Sequence, residues 1–265
     1  MDLKEAQLTD FNINNRHPWE LARFNIILHF ISRIIKKYPD KIFTILDIGC
    51  GDTFVISQLS NHFKNLNFLA VDQEFSDDIK KRYQKEYQER NVNIEFYNSV
   101  KELNTKSTEA KADIVLLLDV VEHIEDDNTF ISELSNHKLI SEHTNIIITV
   151  PAFQTLFSEH DNFMGHYRRY NQRSLLKLIK RNRLYPQQRG YFFFTLLFAR
   201  FFSKIKEFIF GPSKLKGVGD YNQNRLFSRL LKLILIIDFR VMFALRKTGI
   251  RIPGLSTFVI CKKSV

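Results

Sequence analysis

The sequence predicts an α/β chain built on a doubly wound, mainly parallel sheet, with a helical segment inserted before the last strand. Three observations predict it. Apolar, β-rich runs alternate with amphipathic helical stretches from residue 42 to residue 150. The run 112–118 is nearly all apolar, as a central strand covered on both faces must be. Polar residues collect where the strands end, at Asp47, Asp72, Ser99 and Asp119, and ligands of such sheets sit at the carboxyl ends of the strands.

The elements follow in order. Leu21, Phe24, Ile27, Leu28, Ile31 and Ile34 recur at helical spacing, which predicts a helix over 18–37 with Pro18 in its first turn. A strand at 42–48 runs into the turn Gly49-Cys50-Gly51-Asp52-Thr53 and a helix at 55–62. A second strand, 66–71, ends at Asp72; a charged helix covers 77–90, and a third strand, 92–97, leads into Asn98-Ser99-Val100. The central strand ends in Asp119-Val120-Val121-Glu122-His123-Ile124, followed by a helix over 126–139 and a fifth strand over 145–150. Residues 157–171 lack periodicity and read as an ordered loop that packs His160, Asp161, His166, Arg168 and Arg169 among aromatics. Ser174 is expected to cap a helix to 182, with a sixth strand at 188–194. Two apolar helices, 195–210 and 225–247, flank a glycine-bearing loop, and 255–262 is the last strand. The core is thus read as 1–194 with 255–265, and 195–254 as a helical lid or membrane-facing insertion.

Charge divides the chain. Residues 1–161 hold 17 Lys/Arg and 26 Asp/Glu, a net −9, while residues 162–265 hold 22 and 3, a net +19. The second half is therefore expected to face something anionic: lipid headgroups, a phosphate-bearing substrate or nucleic acid. The late helices suit a membrane surface or a lid, and their uninterrupted apolar runs are too short to span a bilayer. Residues 1–15 are polar and lack the apolar core of a signal peptide. Cys50 and Cys261 lie far apart, with no disulfide framework and no metal set in view. A cytoplasmic chain with reduced thiols, peripheral at most to the inner membrane face, is expected.

The chemistry gathers at the strand tips. Gly49 and Gly51 let a ligand approach the backbone ahead of a helix N-terminus. Asp72 lies 25 residues beyond Asp47 at the tip of the next strand, where a βαβ nucleotide site places its ribose-binding acid. The glycine spacing is not the Gly-x-Gly-x-x-Gly of a dinucleotide site. His123, His160 and His166 are the candidate general bases. Arg168 and Arg169, beside Tyr167, are candidate clamps for an anionic group on a substrate.

The motifs Asp47-Ile48-Gly49-Cys50-Gly51, Val71-Asp72 and Asp119-Val120-Val121-Glu122-His123-Ile124 resemble those of class I S-adenosylmethionine-dependent methyltransferases. Arg16-His17-Pro18-Trp19-Glu20-Leu21-Ala22-Arg23, and the stretch from Ser158-Glu159-His160-Asp161 to Gly165-His166-Tyr167-Arg168-Arg169-Tyr170, are similar to elements of one bacterial branch, one that handles small molecules or lipid intermediates. The likeness spans about 16–185. It departs at Thr53, where the family often has a third glycine. The resemblance implies a Rossmann-like fold and S-adenosylmethionine as cofactor, with S-adenosylhomocysteine as product. It implies Asp47, Gly49 and Gly51 at the methionine end, Asp72 at the ribose, and Gln73, Ser99 and Val100 around the adenine. Asp119 and Val120 would lie under the sulfonium, with Trp19 and Arg23 closing the site and Arg23 pairing a carboxylate. The implied activity is methyl transfer to oxygen or carbon of a small-molecule or lipid-linked acceptor, such as a quinone precursor or a saccharide intermediate. The alternatives are a regulatory protein that binds the cofactor without turnover, suggested by Thr53 and the unassigned base, and a nucleic-acid methyltransferase. The latter is disfavoured because Asp119-Val120-Val121-Glu122 stands where an Asn/Asp-Pro-Pro-aromatic motif belongs.

Overall fold

The computed structural model describes residues 16–106, 111–210 and 225–264. The loop read at 211–224 lies outside the described residues. Helix α1 (Pro18–Ile35) leads into strand β1 (Phe43–Ile48) and helix α2 (Phe54–His62), then β2 (Leu66–Val71) and α3 (Asp77–Glu89). Strand β3 (Asn93–Tyr97) and α4 (Val100–Lys106) precede β4 (Ile114–Leu118), α5 (Asp127–Asn136) and β5 (Asn145–Pro151). The short α6 (Glu159–Phe163), α7 (Gln172–Arg181), β6 (Leu184–Phe192), α8 (Phe194–Phe210), α9 (Arg225–Leu245) and β7 (Ser256–Lys263) complete the described chain.

The seven strands form one sheet in the order β3-β2-β1-β4-β5-β7-β6. The first five are parallel, and β7 inserts antiparallel between β5 and β6. Alternation along each strand divides the core into two layers. Phe43 and Ile45 of β1 face α1, α2 and α3, with Phe30, Phe54 and Tyr87, whereas Leu46 and Ile48 face α5 and α7, with Leu134 and Ile179. The sequence-based expectation of a doubly wound sheet therefore holds.

Several boundaries differ. Helix α7 starts at Gln172 because Asn171, not Ser174, caps it. The Ser174 amide donates to Asn171 Oδ1 at 2.8 Å and the Asn171 amide to Ser174 Oγ at 3.0 Å, a reciprocal box that makes Ser174 its third residue. Strand β6 begins at Leu184 rather than 188 and ends at Phe192, where Phe193 takes a φ of +67°. Pro186 is accommodated because β6 is an edge strand with an irregularity between Pro186 and Gln188. The loop read over 157–171 contains α6, whose capping box joins Ser158 and Asp161. Helix α9 places Leu235, Phe239 and Phe243 in the core layer under α1, so this part of the inserted segment belongs to the body of the domain.

Candidate functional site

The tips of β1, β2 and β4 adjoin, since Ile48 is level with both Val71 and Leu117. The turn after β1 is held from its neighbour: the amides of Gly49 and Cys50 donate to the Val71 carbonyl at 2.8 and 3.2 Å. Asp72 ties the two turns together, accepting from the Gly51 amide at 2.8 Å and the Glu74 amide at 3.0 Å. Gly49, with φ +69°, is required twice over, because a Cβ there would lie 2.6 Å from Val120 Cγ2. Thr53 itself adopts a φ of +60° and accepts a hydrogen bond from the Tyr87 hydroxyl at 2.9 Å. Threonine thus takes the left-handed position that glycine often fills, and the turn keeps its shape.

Gly49→Ala is expected to lower stability by about 2 kcal/mol, because it combines a left-handed alanine with overpacking against Val120. It should also weaken S-adenosylhomocysteine binding. Thermal melts with and without that ligand measure both effects.

A cleft opens between this turn and α1, bordered by Glu20, Arg23, Asp47, Cys50, Phe54 and Leu118. Asp47 is buried at its wall, and its Oδ2 has no hydrogen-bond partner. Burial, with the charge of Asp72 acting in the same direction, pushes its carboxyl up to about 7 against the pull of Arg23. A buried acid of this kind, beside a backbone kept bare by glycine, fits a cationic ligand such as the sulfonium and ammonium of S-adenosylmethionine.

Helix α1 brings its cations to the same place. Its start is set by Pro18 and by His17 Nδ1, which accepts from the Trp19 amide at 3.3 Å. Arg23 pairs with Asp119 and lies 5.0 Å over the Trp19 ring. Asp119 has a φ of +56° and accepts from Thr149 Oγ1 at 3.0 Å. The expected carboxylate partner of Arg23 is therefore Asp119. Arg16 pairs with Asp52 and Glu20 and lies 3.9 Å over the Phe54 ring. Gln73 and Ser99 are exposed beyond the tips of β2 and β3, and Val100 begins α4. Cys50 and Cys261 are buried free thiols, and burial raises both pKa values.

A second constellation forms where the loop after β4 meets α6. The rings of His123 and His166 stand edge to face with centroids 4.6 Å apart. Asp161, completely buried, bonds His166 Nδ1 at 2.9 Å and accepts from Arg169 Nε at 2.7 Å and the Ser158 amide at 3.0 Å. Burial raises the Asp161 pKa, but the bonds from His166 and Arg169 outweigh it and hold the carboxyl well below the usual range. Asp161 thus orients His166 rather than the adjacent His160; side chains one apart on α6 diverge. His160 is half-buried, and desolvation lowers its pKa.

Arg169, expected to clamp a substrate, has only 7% of its side chain exposed and braces Asp161. Arg168 is committed to Asp127 at 3.0 Å and to the Glu125 carbonyl at 2.6 Å. Tyr167 is exposed. Sequence reasoning passed over Glu122. It is 0% exposed, and neither carboxylate oxygen makes a hydrogen bond of normal geometry to another residue. Burial pushes it up to about 8, opposed by its own amide and by Arg23 and Arg169. Its one sequence signal is an acid beside a histidine just past a buried strand.

Residues 46–138 match a family model described as a methyltransferase domain. No curated protein sequence matches. Solved structures share the fold. A Galdieria sulphuraria protein assigned as a sarcosine dimethylglycine methyltransferase aligns over 91% of this chain and 85% of its own, at 15% identity and a TM-score of 0.56. The plantazolicin methyltransferase BamL, solved with a triazolic desmethylPZN analog and S-adenosylhomocysteine, aligns over 91% and 85% at 19% identity and 0.52. Phosphoethanolamine N-methyltransferase 2 of Haemonchus contortus, solved with phosphomonomethylethanolamine and S-adenosylhomocysteine, aligns over 91% of this chain and 53% of its own at 17% identity and 0.53. The family match over residues 46–138, the sheet order and the glycine turn backed by Asp72 lead to one reading: the chain carries a methyltransferase domain and has the fold of S-adenosylmethionine-dependent methyltransferases.

Proposed function

We propose that the protein methylates oxygen or carbon of a lipid-linked or other small acceptor presented at an anionic membrane surface. The observation that carries this reading is the outer face of α8 and α9. Phe198, Phe201, Phe202, Ile205 and Ile209 of α8 are exposed, Phe202 by 64%, and so are Leu226, Phe227, Leu230, Leu233, Ile234 and Ile237 of α9. Arg229 and Arg240 of α9 are exposed among them. No helix among the described residues is long and apolar enough to cross a membrane. Aromatics interleaved with cations on a helix face suit the interface between headgroups and acyl chains.

This face adjoins the second constellation. Arg200 donates to Ser158 Oγ, and Lys204 donates to the carbonyls of Thr155 and of Phe157, the latter at 3.0 Å. The first residues of α8 are tied to α9 by Thr195, whose amide and hydroxyl donate to Asp238 Oδ2 at 2.9 Å. An acceptor held in a lipid layer would meet the loop that carries His160, Asp161 and His166.

The cofactor supplies an electrophilic methyl group on a sulfonium. Asp47, Gly49 and Gly51 receive its methionine end, Asp72 its ribose, and Gln73, Ser99 and Val100 its adenine. Trp19, Arg23, Asp119 and Val120 close over the reacting end. Holding acceptor and methyl group in line accounts for much of the rate in such transfers. The acceptor's proton leaves towards the histidines at 123, 160 and 166, of which His166 is oriented by Asp161.

Flotation with vesicles tests the reading. The protein should rise with phosphatidylcholine vesicles containing phosphatidylglycerol and not with phosphatidylcholine alone. Replacing Phe201 and Phe202 by serine should abolish flotation and leave S-adenosylhomocysteine affinity within about twofold, since both side chains are outside the core. A lipid extract should support S-adenosylhomocysteine production. Absence of flotation together with turnover on a soluble extract alone would overturn it, as would tight, salt-sensitive RNA binding.

A further inference from the structure

We propose that Glu122, His123 and His166 form a binding site for one divalent first-row transition metal ion of the Zn²⁺ class. One ligand atom from each residue lies within 4.8 Å of the other two. The set comes from two distant parts of the chain, brought together where the Glu122 carbonyl accepts from the Tyr167 amide at 2.8 Å. Two imidazoles and one carboxylate suit Zn²⁺, Co²⁺ or Fe²⁺, whereas Mg²⁺ and Ca²⁺ prefer all-oxygen sets.

Two further observations point to a cation. First, the Glu122 carboxylate is wholly buried, with neither oxygen hydrogen-bonded to another residue. The guanidinium groups nearest it are already engaged, Arg23 by Asp119 and Arg169 by Asp161. A buried carboxylate in that position is normally paired, protonated or bound to metal.

Second, the outer shell is built. The Asp161 carboxylate holds His166 Nδ1 at 2.9 Å, which places the ring's lone pair on Nε2, as in carboxylate–histidine–metal sites. Arg169 and Ser158 fix Asp161 in turn, Arg169 Nε at 2.7 Å. A histidine needed only to fill space would not require a completely buried acid with Arg169 Nε and the Ser158 amide and hydroxyl donating to it.

Glu122 and His123 lie on the same loop as Asp119 and Val120, the residues proposed for the reacting end of the cofactor. An ion held there would stand on the acceptor side and polarise an acceptor hydroxyl; with His123 and His166 engaged as ligands, proton removal would fall to His160. That purpose rests on the methyltransferase reading. The metal site itself does not.

The test uses tag-free full-length protein, dialysed against chelator and titrated with Co²⁺ and Zn²⁺ salts. One equivalent of Co²⁺ per chain should bind and give visible absorption bands, and Zn²⁺ should displace it. Glu122→Gln and His166→Gln should each weaken binding at least tenfold, and Asp161→Asn about tenfold through its hold on His166. His143→Gln, a substitution at an exposed histidine outside the cluster, should bind as the parent does. S-adenosylhomocysteine binding reports that each variant is folded and separates failure of the metal site from failure of the methyltransferase reading. Substoichiometric binding by the parent, or unchanged affinity in folded Glu122→Gln, overturns the proposal.

Discussion

Asp47→Asn is expected to stabilise the ligand-free protein at about pH 8 and to leave it nearly unchanged at about pH 4. Burial, reinforced by Asp72, pushes the Asp47 carboxyl up to about 7. The folded chain then retains a proton that the unfolded chain releases near the ordinary carboxylate value of about 4. The protonated group contributes no penalty below that value. The penalty grows as pH rises from about 4 to about 7, reaches the order of 4 kcal/mol, and stays there at higher pH. Asparagine removes it, so the gain in melting temperature should appear across that window and level off above it. Saturating S-adenosylmethionine should narrow or reverse the gain, because a cation beside Asp47 favours its charged form. Melts of both proteins at several pH values, with and without the cofactor, check this. A gain independent of pH would sink it.

Arg23→Met should destabilise the fold by about 2–3 kcal/mol, chiefly by leaving Asp119 without its partner. The side chains of Arg23 and Asp119 are 13% and 27% exposed, so water recovers part of the loss. Arg23 also lies 5.0 Å over Trp19, and methionine retains much of that packing. The double variant with Asp119→Asn should regain at least half of the loss, which a double-mutant cycle in denaturant would read. Simple additivity would mean that the pair contributes nothing beyond its separate parts.

The legible part of the site was the part written in consecutive residues. The turn from Gly49 to Thr53 and the acids closing β1, β2 and β4 follow from strand periodicity, because a strand that must bury both faces carries its acids only near its end. Arg23 was legible through the element around Trp19, though its partner Asp119 lies 96 residues further on and was not. The constellation around Asp161 was read incompletely. Its histidines were found, but which of them Asp161 holds depends on the turn of α6 and on Gly165, and no spacing rule specifies that. Arg168 and Arg169 looked like ligand-binding cations because a sequence does not show that Asp127 and Asp161 lie against them. Glu122 drew no notice because an acid in a loop is ordinarily solvated, and its burial is known only once Tyr167 and Arg169 are packed around it.

By itself, then, the sequence determined the alternation of strands and helices and the glycine turn, since these depend on local propensity and hydrophobic period; the cofactor class came from the resemblance of its motifs to those of a known family. Only the tertiary structure decided the pairings: Arg23 with Asp119, His166 with Asp161, and Glu122 beside two imidazoles without a hydrogen bond to another residue. Those depend on which charges lose their water together, and desolvation is a property of the packed chain.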